Sequence, residues 1–311
     1  MDSKQLKEKT VKIILFLCAS FSIILVLSIV GFLLYQGSPA LGSLVLHGII
    51  NFDWNFIGTG RAVLAQIDGT VYIALGAAIV SAAIGIPCAI YMAEFADMRL
   101  RNFTKTSLEV LDGFPSIVIG LLIGWELLIL PRSKYSFTGF LITNFGLVPG
   151  NGCILFAWLV LLIMSYPIIA TISEDALRAV PNDLREASLG LGATKWQTTR
   201  YVLIPNATPR ILTSILLALA AAMGEMVAIS YVLWGTVPTA LLYNPLMVLN
   251  PMVKTWTLSM NMESSYIGAL DATGNPGAGP YALGCILFIM IGLVNIASRI
   301  LLSNRGKGME Q

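Results

Sequence analysis

Long apolar runs separated by short polar stretches recur from one end of the chain to the other. A membrane-spanning helix needs about 20 mostly apolar residues, because each residue rises about 1.5 Å and the hydrocarbon layer is about 30 Å thick. Six segments meet that length: roughly Ile13–Leu34, Ile67–Ala93, Leu111–Leu130, Cys153–Ile172, Ile211–Trp234 and Tyr281–Leu302. The pattern predicts an all-α integral membrane protein of about six transmembrane helices. Gly85 and Pro87 predict a bend in the second span. The stretch Thr236–Leu258 is also apolar, but it carries Pro238, Asn244, Pro245, Asn250, Pro251 and Lys254. It reads as an external loop with a short re-entrant or surface helix. The first run follows four lysines, as a signal peptide would. It is too long for one and ends without a small-residue cleavage site, so it reads as an uncleaved anchor.

Composition agrees with a lipid-facing protein. Only 12% of the residues are charged, against about 25% in a soluble domain. The net charge of +2 offers no basic surface for nucleic acid. Cys18, Cys88, Cys153 and Cys285 lie in or beside apolar stretches and form no C-x-x-C pair, so they read as buried small residues. The single histidine, His47, makes neither a metal site nor a catalytic cluster and is expected in a solvent loop. Lysine and arginine set the orientation. With six spans and the N-terminus inside, 15 of the 19 fall on inside pieces and 4 outside, which supports cytoplasmic N- and C-termini. The organisation expected is residues 1–65 as tail, first span and external loop, 66–303 as the core with a cytoplasmic loop at 173–207, and 304–311 as a C-terminal tail.

That cytoplasmic loop has its own helix grammar. Pro181 interrupts the helix leaving the fourth span. Asp183 stands three residues before Glu186, and Thr194 three before Gln197, which predicts two capping boxes. Gly190 and Gly192 can turn the chain at positive φ, and Pro205 is expected to stop the second helix. The product is a helix–turn–helix on the membrane surface. It serves either as a cap on the bundle or as a handle that a soluble partner grips. No G-x-x-x-x-G-K-[ST] loop occurs, and no Ser–His–Asp or Cys–His arrangement stands out, so the chain reads as a non-catalytic subunit.

Glu186-Ala187-Ser188, then Gly192, then Val202, Ile204 and Pro205 resemble the EAA loop of ATP-binding-cassette (ABC) importer permeases. Ser188, Val202 and Ile204 are conservative departures from that pattern. Ile86-Pro87, Ile90 to Ala96, Gly113 to Gly120, and Glu174 to Pro181 resemble the phosphate-specific transport permeases. The long N-terminal span and Gly37-Ser38-Pro39-Ala40-Leu41, taken as external, are similar to the C-type subunit. The resemblance implies a type I importer permease fold in the plasma (inner) membrane and a heterodimer with a second permease subunit. It also implies two ATP-binding subunits that hold ATP and Mg, and an external substrate-binding protein. Glu186, Ala187, Ser188 and Gly192 would couple to the ATPase, and this chain itself would hold no cofactor. One position departs: where the family commonly has Arg four residues before the Glu of a Gly-Glu pair, this chain has Ala221 before Gly224-Glu225.

Glu225 lies about 14 residues, or about 21 Å, into the fifth span. An acid at that depth costs roughly 2.5–3.5 kcal/mol on insertion scales. It is read as part of the translocation pathway or gate, or as a protonated or hydrogen-bonded structural group at a subunit interface. Ser116, after Gly113 and Pro115, begins the third span either at a break exposing backbone to a cavity or at a simple helix start. Gly120-x-x-x-Gly124 allows close helix approach, and Glu126 is expected at the water-exposed outer end. Three functions compete: a phosphate permease, a permease for another oxyanion such as molybdate or tungstate, and a self-contained channel or secondary transporter. No internal repeat supports the third.

Overall fold

The computed structural model describes residues 3–43, 63–129, 153–233, 255–273 and 277–306. Every regular element among them is helical. His47 and the stretch from Thr236 to Lys254 lie outside the described residues, as does the side chain of Glu126.

α1 (Ser3–Ser43) is a 41-residue helix whose apolar side chains point outward along most of its length. In a soluble protein that surface would be untenable; in a bilayer it is solvated by lipid. The helix runs on through Gly37-Ser38-Pro39-Ala40-Leu41, so these residues extend the first helix rather than form a loop. Cys18 is exposed with this helix and is not a core residue. The other cysteines are partly or fully buried.

α2 (Val63–Ile90) passes through Pro87 and widens into a π turn at Tyr91–Phe95. α3 (Met98–Asp112) is amphipathic, and an 83° bend separates it from α4 (Ser116–Ile129). The third span therefore begins at Ser116, and Leu111 belongs to the helix before the bend. The cause is local: Pro115 has no N–H to continue α3, and Val118 N–H instead reaches the Pro115 carbonyl at 2.9 Å. α5 (Ile154–Arg178) is the fourth span. α6 (Asn182–Gly190) and α7 (Lys195–Thr198) form the loop predicted to be cytoplasmic. A π turn at Thr199–Leu203 leads directly into α8 (Ile204–Gly224). Pro205 thus does not stop the helix. Ile204 N–H bonds to Thr199 five residues back, which shifts the register where Pro205 has no N–H to give.

The fifth span was expected to continue to Trp234. It breaks at Glu225 and resumes as the short α9 (Val227–Val232). α10 (Leu258–Thr273) and α11 (Gly279–Gly306) complete the chain. Among the described residues five helices are long and apolar enough to cross a membrane, and α3 with α4 makes a sixth if the bent pair is counted as one span.

α2, α5 and α8 pack on one another around Ile73, Ala77, Ala157, Leu161 and Met223. Close approach rests on small residues. A Cβ on Gly76 would sit 2.1 Å from the Trp158 ring, so that aromatic fills the space glycine leaves. α4 lies on α9, and α1 packs on α11 through an edge-to-face contact of Phe32 with Tyr281, centroids 5.6 Å apart.

Candidate functional site

In the loop predicted to be cytoplasmic no residue of α6 is buried, although Arg185 and Trp196 touch the bundle. Pro181, at φ −53° and ψ 139°, occupies the N-cap and makes no side-chain cap. Asp183 therefore falls inside the first turn, where an acid still suits the helix dipole, and the first capping box does not form. Leu191 N–H closes on Ala187 at 3.1 Å and Gly192 N–H on Leu189 at 2.9 Å. Gly192 then adopts φ +85°, while Gly190 remains helical. The second capping box is complete. Gln197 N–H donates to Thr194 Oγ1 at 3.2 Å, and Thr194 N–H donates to Gln197 Oε1 at 2.7 Å. Ser188 and Thr198 hydroxyls, 3.0 Å apart, tie the two arms together.

Glu186 and Ala187 are exposed, Ser188 is half-buried, and Gly192 has open space around it. Beside them Leu184, Leu189, Leu191 and Trp196 are exposed, Leu191 by 91%. Apolar side chains left in water on a rigid protrusion suit contact with another protein.

Four ionic contacts fasten this end of the bundle, and sequence reading had singled out none of them. Arg185 on α6 pairs with Glu94 in the π turn after α2 and donates from Nη2 to the Leu177 carbonyl at 2.7 Å. Glu174 on α5 is fully buried and accepts from Arg101 Nε of α3 at 2.6 Å. Lys105 lies 3.5 Å from Glu174 and 3.2 Å from Asp175. Burial pushes the Lys105 amine down, but the Asp175 and Glu174 carboxylates outweigh it and hold it above the usual lysine range. Phe95 meets Trp196 with ring centroids 6.5 Å apart, and the Lys195 ammonium lies 5.3 Å from the Phe95 centroid.

The second place of interest is the break at Glu225. Its backbone is extended (φ −68°, ψ 123°) between α8 and α9. Glu225 Oε1 accepts from Ala228 N–H at 3.0 Å, and the Glu225 carbonyl accepts from Ser259 Oγ at 3.0 Å. The carboxylate thereby caps a helix start that would otherwise leave an N–H unpaired in the membrane. Glu225 also lines a cavity of about 120 Å³ with Asp112, Phe114, Ser165 and Ala221. Ser116 begins α4 beside this cavity but is not among its lining residues. Asp112 and Ser165 are additions that the sequence pattern did not flag. The lining residues include two carboxylates and no lysine or arginine.

The chain from residue 85 to 305 matches the family of binding-protein-dependent transport system inner membrane components, and it belongs to that family. It is a permease subunit of an ABC importer and a multi-pass membrane protein. It is 29% identical to the probable ABC transporter permease protein YqgH of Bacillus subtilis, over 98% of this chain and 94% of that one. It is 28% identical to the phosphate transport system permease protein PstC of Mesorhizobium japonicum, over 91% of this chain and 86% of the relative. Among solved structures it shares its fold with an inward-facing MetNI methionine ABC transporter (20% identity, TM-score 0.52, 76% of this chain and 92% of that one). It also shares it with a bacterial ABC transporter importing alginate (16% identity, TM-score 0.55, 96% and 99%). Membership in this family displaces the channel and secondary-transporter readings. Permeases of this kind are non-catalytic and work with another permease, ATPase subunits and a binding protein.

Proposed function

We propose that this chain is the C-type half of a phosphate importer in the inner membrane. It pairs with a different permease subunit, two ATP-binding subunits that carry ATP and Mg, and an external phosphate-binding protein. The observation that carries the reading is the resemblance to phosphate permeases over nearly the whole chain. Glu186, Ala187, Ser188 and Gly192 form the surface that docks on the ATPase, and Glu225 belongs to the pathway. Two carboxylates at the cavity repel a phosphate dianion, so the counter-charge for the anion comes from the second permease. Ala221 lines the cavity where the phosphate permeases commonly carry an arginine, and this departure leaves a second reading: a permease for another oxyanion, molybdate or tungstate, that draws its counter-charge from the partner in the same way.

The test is reconstitution with the neighbouring subunits and measurement of ATPase stimulation by binding proteins loaded with phosphate, molybdate or tungstate. Stimulation by phosphate-loaded protein is expected. Stimulation by another loaded protein alone would replace phosphate with that solute.

A further inference from the structure

The loop of α6 and α7 is joined covalently to α5 and α8, and any push on it reaches those two spans through the chain. α2 has no such connection, yet both arms of the loop hold its inner end, at consecutive residues. Arg185 from the first arm pairs with Glu94, while Lys195 and Trp196 from the second lie against Phe95. The ion pair is not a surface bridge: the side chains of Arg185 and Glu94 are 18% and 9% exposed. Breaking a pair so shielded is costly, because the remaining charge is left without a partner. Arg185 also donates to the last turn of α5 through Leu177, so one guanidinium holds three elements together.

The outer end of α2 is fastened as well. Thr70 Oγ1 accepts from Leu258 N–H at 2.8 Å, and Gln66 Oε1 accepts from Asn261 Nδ2 at 2.8 Å. At Gly69 the backbone of Trp256 comes so close that a Cβ would lie 2.3 Å from its carbonyl oxygen. The next residues of this segment reach the break in the fifth span, where Ser259 donates to the Glu225 carbonyl. α2 has 28 residues and so is a rod of about 42 Å, held at one end by the loop and at the other by the segment that supports Glu225.

We infer that Arg185 and Glu94 are positioning residues that make α2 a third transmission element, carrying displacement of the loop to the break at Glu225. This rests on the reading of the loop as the ATPase-coupling surface.

The experiment uses the full importer in proteoliposomes, with inorganic phosphate as solute and molybdate and tungstate run in parallel. It compares Arg185→Gln, Glu94→Gln and the double variant. The quantity read is solute carried per ATP hydrolysed, which a merely structural loss of active complexes leaves unchanged. Each single variant is expected to lower that ratio at least about fivefold. The double variant is expected to be no worse than Arg185→Gln alone, because both substitutions remove the Arg185–Glu94 pair and only the arginine change also removes the bond to Leu177. An unchanged ratio in either single variant overturns the inference, as do losses that multiply in the double. Failure of both single variants to assemble also overturns it, since the pair then serves the fold alone. Glu186→Lys with Gly192→Asp separates the two levels. If that variant couples normally, the loop reading itself falls. If it uncouples while Arg185→Gln does not, only the route through α2 falls.

Discussion

The contact of α4 with α9 tests the geometry of the pathway most directly. Gly120 and Gly124 lie one turn apart on α4, facing the backbone of α9. A Cβ on Gly120 would sit 2.6 Å from Ala228 Cα and 2.7 Å from its carbonyl oxygen, and one on Gly124 would sit 2.8 Å from the Tyr231 carbonyl oxygen. Ordinary contact begins at 3.4 Å, so in Gly120→Ala the helices must part by about 0.8 Å. The obstacle is backbone, which cannot rotate aside as a side chain would. Ala228 is also the residue whose N–H donates to the Glu225 carboxylate at 3.0 Å, so a shift of α9 reaches the break. Overpacking of this kind costs about 1–3 kcal/mol, and it loosens the break at Glu225 as well. Gly120→Ala should therefore lower both the thermal midpoint of the purified complex in lipid nanodiscs and its solute uptake. Gly292→Ala is the control, since a Cβ there meets nothing within 4 Å. It should be neutral or stabilising by up to about 1 kcal/mol, because glycine weakens a helix interior. A Gly120→Ala complex that melts at or above the wild-type midpoint would refute the close approach.

Three further outcomes are expected. Glu225→Ala leaves Ala228 N–H without its cap, costs about 1 kcal/mol, and lowers uptake while the complex still assembles. Normal uptake would remove Glu225 from the pathway. Glu186→Lys combined with Gly192→Asp should leave ATP hydrolysis running without uptake, because it alters the exposed face of the loop and forces an ordinary residue to φ +85°; unchanged transport would end the coupling role. Glu174→Ala should cost about 3–5 kcal/mol, since it strands Arg101 beside a buried site while Lys105 keeps only Asp175. A complex as stable as wild type in denaturant titration would show that α3 is held by other contacts.

The length and apolarity of the runs were enough to place five to six spans, because a bilayer imposes a minimum of about 20 apolar residues on any spanning helix. The 15-to-4 distribution of lysine and arginine predicts their orientation. The Thr194–Gln197 box and the turn at Gly192 were equally legible, since both depend on residues three positions apart or on one backbone angle. The other local signals misled where a neighbour intervened. Pro181 takes the cap that Asp183 seemed to offer, and the π turn at Thr199–Leu203 lets the helix pass through Pro205.

The break at Glu225 was hidden in an unbroken apolar run, because Ser259, 34 residues downstream, helps to hold it. The cavity joins Asp112, Ser165 and Glu225 from separate helices, and the ion pairs of Glu94 and Glu174 join residues 91 and 73 positions apart. The sequence alone determined that the chain is a helical membrane protein of five to six spans and where the turn and cap of the loop after the fourth span fall. Only the tertiary structure decided which polar groups meet. Spans and caps follow from rules that act within a few residues, whereas a charge buried near or within a bilayer is stable only beside a partner that packing brings from elsewhere in the chain.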